Sequence, residues 1–141
     1  MSRGVFITLE GLDGSGKDII LVATGSEVEL IVKAAEELKT AGIGATVVSM
    51  PSFKLFEEQS EEYKLSIFPH GVPKISVEAG ATMGWWKYVG RHGDVIGLER
   101  FGASSPGPKV MEELGFSPAN IMKRAKQLLE RVRPAATAGK A

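Results

Sequence analysis

Apolar and polar residues change their spacing several times along the chain, and each change marks an element. Val5 to Glu10 alternates, with Val5, Ile7 and Leu9 on one side and Phe6, Thr8 and Glu10 on the other, the pattern of an edge or half-buried strand. Gly11-Leu12-Asp13-Gly14-Ser15-Gly16-Lys17-Asp18 is too rich in glycine to extend that strand and predicts a loop. Ile19-Ile20-Leu21-Val22-Ala23-Thr24 is continuously apolar and β-branched, as in a strand covered on both faces. From Gly25 the spacing becomes helical. Ser26 and Glu29 stand as a capping box, Val28, Ile31, Val32, Ala35 and Leu38 share one side, Lys33, Glu36, Glu37 and Lys39 the other, and Gly42 supplies a left-handed end. Ala45 to Met50 reads as the next strand, closed by Pro51. Strand, helix and strand in this order predict parallel pairing with a right-handed crossover.

Phe53 to Phe68 mixes Phe56, Tyr63, Leu65 and Ile67 with acids and lysines and predicts one or two short surface helices. Pro69 to Pro73 punctuates the chain, and Lys74 to Glu78 is a fourth strand. Ala79 to Gly93 is glycine-rich but carries Trp85, Trp86 and Tyr88, so a packed functional or interface loop is expected there. Asp94 to Leu98 is a fifth strand, Pro108 to Leu114 a short helix, and Ser117-Pro118 opens a last helix with Ile121, Ala125, Leu128, Leu129 and Val132 on its apolar side. Arg133 to Ala141 is expected to be a disordered tail, leaving residues 1–132 as a single domain.

Composition narrows the function classes. A chain of 141 residues with 43% apolar and 24% charged positions carries enough hydrophobic surface for one folded core. Seventeen basic residues balance seventeen acidic ones, which removes the field that would gather nucleic acid or an anionic membrane. Without cysteine there is no disulfide, thiolate chemistry or Cys-ligated zinc. No apolar run reaches the ~18 to 20 residues that cross a bilayer, and the amino terminus lacks the features of a signal peptide, so a soluble, cytoplasmic protein is expected.

Gly11 to Lys17 satisfies G-x-x-x-x-G-K after a strand, the spacing with which backbone N–H groups cradle phosphates and a lysine reaches the terminal ones. Asp18 stands where a magnesium-holding hydroxyl belongs, and Ile19 to Thr24 reads as strand instead of the required helix. The sequence therefore favours a glycine-rich loop without nucleotide. The alternative is a nucleotide- or phosphate-binding protein that uses Gly11, Gly14, Ser15, Gly16 and Lys17 for a small anion. Gly25 and Ser26 form a second candidate anion site, at the carboxyl end of a central strand and the start of a helix, although helix capping explains Ser26 more simply. Trp85, Trp86 and Tyr88 are candidate interface or core residues. His70 and His92 lack the neighbours of a metal site or a triad, Glu99 and Arg100 suit a structural pair, and Glu36-Glu37, Glu57-Glu58 and Glu61-Glu62 read as solvated helix faces.

Several of these strings also carry a resemblance. Asp18-Ile19-Ile20-Leu21-Val22-Ala23-Thr24-Gly25-Ser26-Glu27-Val28, Val47-Val48-Ser49-Met50-Pro51, Val77-Glu78-Ala79-Gly80, Gly84-Trp85-Trp86-Lys87-Tyr88-Val89-Gly90 and Glu99-Arg100-Phe101-Gly102-Ala103-Ser104, in that order, resemble the C-terminal domain of transketolase. The resemblance implies a three-layer α/β/α domain with a five-stranded mixed sheet in the order 1-3-2-4-5, strand 1 antiparallel. Gly4 to Lys17 instead resembles the opening of thymidylate kinase, so the chain looks like a chimera in which residues 1–17 supply the first strand and the loop. In the transketolase family thiamine diphosphate, magnesium and substrate lie in two preceding domains. The resemblance thus implies no catalytic residue, cofactor or metal in this chain and no ketol transfer by it alone. What remains is packing, homodimer formation or weak binding of a small ligand.

Overall fold

The computed structural model describes residues 7–9, 18–25, 27–50, 52–78, 83–97, 112–113 and 115–140. Its strands are β1 (Ile7–Leu9), β2 (Ile19–Ala23), β3 (Ala45–Ser49), β4 (Lys74–Glu78) and β5 (Asp94–Gly97). Its helices are α1 (Glu27–Thr40), α2 (Phe53–Glu57), α3 (Glu61–Ile67), α4 (Met83–Val89) and α5 (Pro118–Lys140). The body of the sheet is the parallel set β3-β2-β4-β5, with Leu21 opposite Val47 on one side and Ile75 on the other. β1 lies antiparallel along the free edge of β3, Ile7 opposite Ser49 and Leu9 opposite Val47, giving the order β1-β3-β2-β4-β5.

β2 has no exposed residue, because its alternate side chains enter two different apolar layers. Ile19, Leu21 and Ala23 meet Ile31, Ala34 and Leu38 of α1 and Ile121, Ala125 and Leu128 of α5. Ile20 and Val22 face the opposite way, into Val48, Met50, Phe56, Phe68 and Trp85. A strand enclosed on both faces gains nothing from alternation, hence the unbroken apolar run. β4 splits differently. Ile75 and Val77 join the layer of α1 and α5, while Ser76 is buried with an Oγ that has no hydrogen-bond partner among the described residues.

Local chemistry sets the boundaries. Ser52, Ser60 and Ser117 each accept a backbone N–H three residues on, at 3.1 Å, and so start α2, α3 and α5. Gly42, at φ +82°, follows α1 as expected. Asp18 spends its carboxylate locally, its Oδ2 accepting the Gly44 N–H at 2.8 Å and thereby fastening the start of β2 to the start of β3. At the far edge, Arg124 of α5 grips Asp94 of β5 through two bonds of 2.7 Å.

Three expectations need correction. The stretch from Ala79 to Gly93 is not simply a loop, since Met83–Val89 forms α4. Burial of Trp85 and Val89, four residues apart, draws this glycine-flanked segment into helix. Phe53 to Phe68 forms two helices, yet their faces are not all surface, because Phe56 and Phe68 belong to the core. The last helix also does not stop at Val132 but is described over Pro118–Lys140. β5 is described over Asp94–Gly97, Leu98 lying outside the described residues, and only Glu112 and Glu113 of the Pro108 to Leu114 helix fall within them.

Candidate functional site

The carboxyl ends of a parallel sheet are where open α/β folds place ligands. Here that edge holds Gly25, at φ +66°, whose carbonyl accepts the Val28 N–H at 3.2 Å and begins α1. Ser26 lies outside the described residues, and the next side chain, Glu27, is a buried carboxylate at the helix start, which opposes an anion there. Gly11, Gly14, Ser15, Gly16 and Lys17 also lie outside the described residues, as do Glu99 and Arg100. The segment that follows the glycine-rich stretch is β2, the enclosed central strand.

The three aromatic candidates separate. Trp85 is 1% exposed and its Nε1 donates to the Glu78 carboxylate at the end of β4. Tyr88 is half-buried, stacked on Phe53 at 5.3 Å and in edge contact with Phe56 at 5.5 Å. Trp86, one position from Trp85, points away from both and is 45% exposed. Thus Trp85 and Tyr88 belong to one aromatic layer, and Trp86 alone offers a surface.

Glu57 is the hub of this region, a role the reading of Glu57-Glu58 as a solvated face missed. Its Oε2 accepts the Tyr88 hydroxyl at 2.6 Å and lies 3.3 Å from Lys87 Nζ, while its Oε1 lies 3.4 Å from Lys64 Nζ. These partners come from α3 and α4, and no local spacing announces such a meeting. The Tyr88 hydroxyl foremost, with Lys87 and Lys64, holds the Glu57 carboxyl below the usual carboxylate range. Burial, reinforced by the adjoining carboxylate, pushes the Tyr88 phenol well above its ordinary value. A carboxyl depressed in the folded state stabilises above the unfolded carboxylate range, and that contribution is lost as pH falls through the folded value. Tyr88→Phe is therefore expected to raise the Glu57 titration toward the usual range, read by carboxyl-carbon NMR. A titration unchanged in Tyr88→Phe would assign the shift to the lysines alone.

Beneath this hub opens a cleft of about 1000 Å³ at the amino ends of β4 and β5, bounded by α3, α4 and α5. His70 and His92 sit on its wall, both exposed. Lys74, the first residue of β4, is 8% exposed, and its Nζ donates to the carbonyls of Pro69 and Val72, each at 2.8 Å. Burial lowers the proton affinity of this amine. The sequence marks it only as the first position of a short strand. Among the described residues no group of three His, Asp or Glu side chains is arranged to hold a metal ion.

Parallel strands with a covering helix layer on each face define a three-layer α/β domain of the doubly wound kind. Within that class the chain belongs to the transketolase C-terminal domain family: the model described as "Transketolase-like TK C-terminal domain" matches residues 4–117. The chain is 49% identical over 131 residues to the transketolase of Halalkalibacterium halodurans, a match covering 92% of this chain and 19% of that protein. It is 44% identical over 128 residues to the chloroplastic transketolase of Solanum tuberosum, covering 90% of this chain and 17% of that one. Among solved structures, the transketolase of Pichia stipitis in complex with sedoheptulose 7-phosphate superposes with a TM-score of 0.80 at 43% identity, over 92% of this chain and 18% of that one. The transketolase of Leishmania mexicana gives 0.79 at 32% identity over 92% and 18%. The chain thus spans about a fifth of the length of the relatives it matches. No helix among the described residues is long and apolar enough to cross a membrane.

Proposed function

We propose that this chain is a non-catalytic transketolase C-terminal domain, with a role in packing and homodimer formation, and that it performs no ketol transfer by itself. The observation that carries this reading is the match over residues 4–117, which confines the likeness to about a fifth of each transketolase. Among the described residues, Glu57 pairs with Lys64 and Lys87, and Asp94 with Arg124, contacts that hold neighbouring elements together, as a packing role requires. Thiamine diphosphate and magnesium, on this reading, are held by parts of a transketolase outside the matched region, in a cytoplasmic protein. The leader resembling thymidylate kinase supplies the edge strand, a role supported by the pairing of Ile7–Leu9 with β3, which makes a five-stranded mixed sheet. Self-association would use the surface around Trp86.

The test is an assay of the 141-residue chain with thiamine diphosphate, Mg²⁺, a ketose phosphate donor and an aldose phosphate acceptor, next to light scattering over a concentration series. Product formation no faster than the blank is expected, together with a mass that rises with concentration and falls back in Trp86→Lys. Turnover by the purified chain would overturn the non-catalytic assignment, and a constant monomer mass would overturn the assembly role.

A further inference from the structure

The amino-end cleft carries more positive charge than its own carboxylates neutralise. Lys64, Lys74, Lys87, Arg91 and Arg131 face it, against Glu57 and Glu61. Both glutamates are already taken: Glu57 pairs with Lys64 and Lys87, and Glu61 with Lys64 at 3.2 Å. Lys74, Arg91 and Arg131 are left, and among the described residues none of them has a carboxylate partner.

Lys74 is the decisive group. An ammonium has three N–H donors, and the carbonyls of Pro69 and Val72 use two of them, so one remains unspent on a residue that is 8% exposed. Burying a cation against neutral carbonyls alone is costly, and a negative group brought into the cleft would relieve that cost. Arg91 lies in the turn before β5 and Arg131 on α5, both exposed, so they flank the opening from different elements. The chain has no net charge at pH 7, which makes this excess a local property of one concavity and disfavours a long polyanion. A volume of about 1000 Å³ lies at the upper end for small-molecule pockets.

We infer that this cleft binds a small, multiply charged anion of the phosphate or carboxylate class, with Lys74 as the buried cation and Arg91 and Arg131 as the rim. The lining residues named for this site include none of the Gly11 to Lys17 or Gly25-Ser26 candidates, and the site does not depend on the proposed packing role. Inorganic pyrophosphate and citrate are the probes, titrated into the full chain at low salt while the amides of Arg91, His92 and Gly93 are followed. Saturable shifts with at least one probe are expected, and the combined Arg91→Ala and Arg131→Ala variant should weaken that binding roughly tenfold or more. Because both arginines are exposed, this variant should keep the wild-type circular dichroism and denaturation midpoint. Lys17→Ala should leave the cleft shifts unchanged. Absence of saturation by both probes at millimolar concentration, undiminished binding in the double arginine variant, or loss of the cleft shifts in Lys17→Ala would each overturn the assignment.

Discussion

Trp85→Ala is expected to lower the unfolding free energy by about 3 to 5 kcal/mol, the range for removing a large aromatic from a packed core. The indole is 1% exposed, packs among Ile20, Val22, Val48 and Phe56, and meets the edge of Phe53 at 4.8 Å. Truncation opens a cavity that α4 cannot close without leaving the sheet, and it strips Glu78 of the indole N–H. Trp85→Phe isolates the second effect: it retains most of the apolar area and leaves the carboxylate without that donor, at about 1 to 3 kcal/mol. Urea denaturation followed by far-ultraviolet circular dichroism measures both without relying on the fluorescence of the removed ring. A loss below about 1 kcal/mol in Trp85→Ala would mean that the ring lies outside the core.

Gly93→Ala is the second large effect. A Cβ built at Gly93 would lie 2.5 Å from the carbonyl oxygen of Val89, 2.7 Å from that of Lys74 and 2.7 Å from Val89 Cβ. None of these atoms is the far end of a flexible side chain, so relief requires the end of α4 or the start of β4 to move. The expected cost is about 1 to 3 kcal/mol or more, as for other overpacked sites. Gly42→Ala is the comparison, since its φ is +82° but nothing lies within 4 Å, leaving only the backbone term of about 1 kcal/mol. Equal denaturation midpoints for the two variants would show that β5 does not approach α4 and β4 as closely as described.

Both predictions fall on the aromatic layer and the turn before β5, the parts of the molecule that pattern reading handled least well. β2, α1, β3 and the start of α5 were legible because each carries its own signal. An unbroken β-branched run, a helical spacing with its cap, or a serine-proline start is decided within a few residues by which faces must be apolar. α4 was not legible, because glycine and bulky aromatics around Met83–Val89 give weak local preference and the helix forms where Trp85 and Val89 find the sheet. The roles of Glu57 and Lys74 were hidden for a related reason. The Tyr88 hydroxyl reaches Glu57 across 31 positions of sequence, and the burial of Lys74 depends on the Pro69 to Pro73 turn folding over it.

What the sequence determined by itself is therefore the α/β class, the enclosed central strand and the likeness to the transketolase C-terminal domain, all of which rest on contiguous residues. Tertiary structure alone decided that Trp85 is core while Trp86 is surface, that Glu57 gathers Tyr88, Lys64 and Lys87, and that a cleft forms with cations its own carboxylates do not match. The physical reason is that periodicity records which side of an element is apolar. Which charges meet, and which are left over, depends on distances between elements that only packing sets.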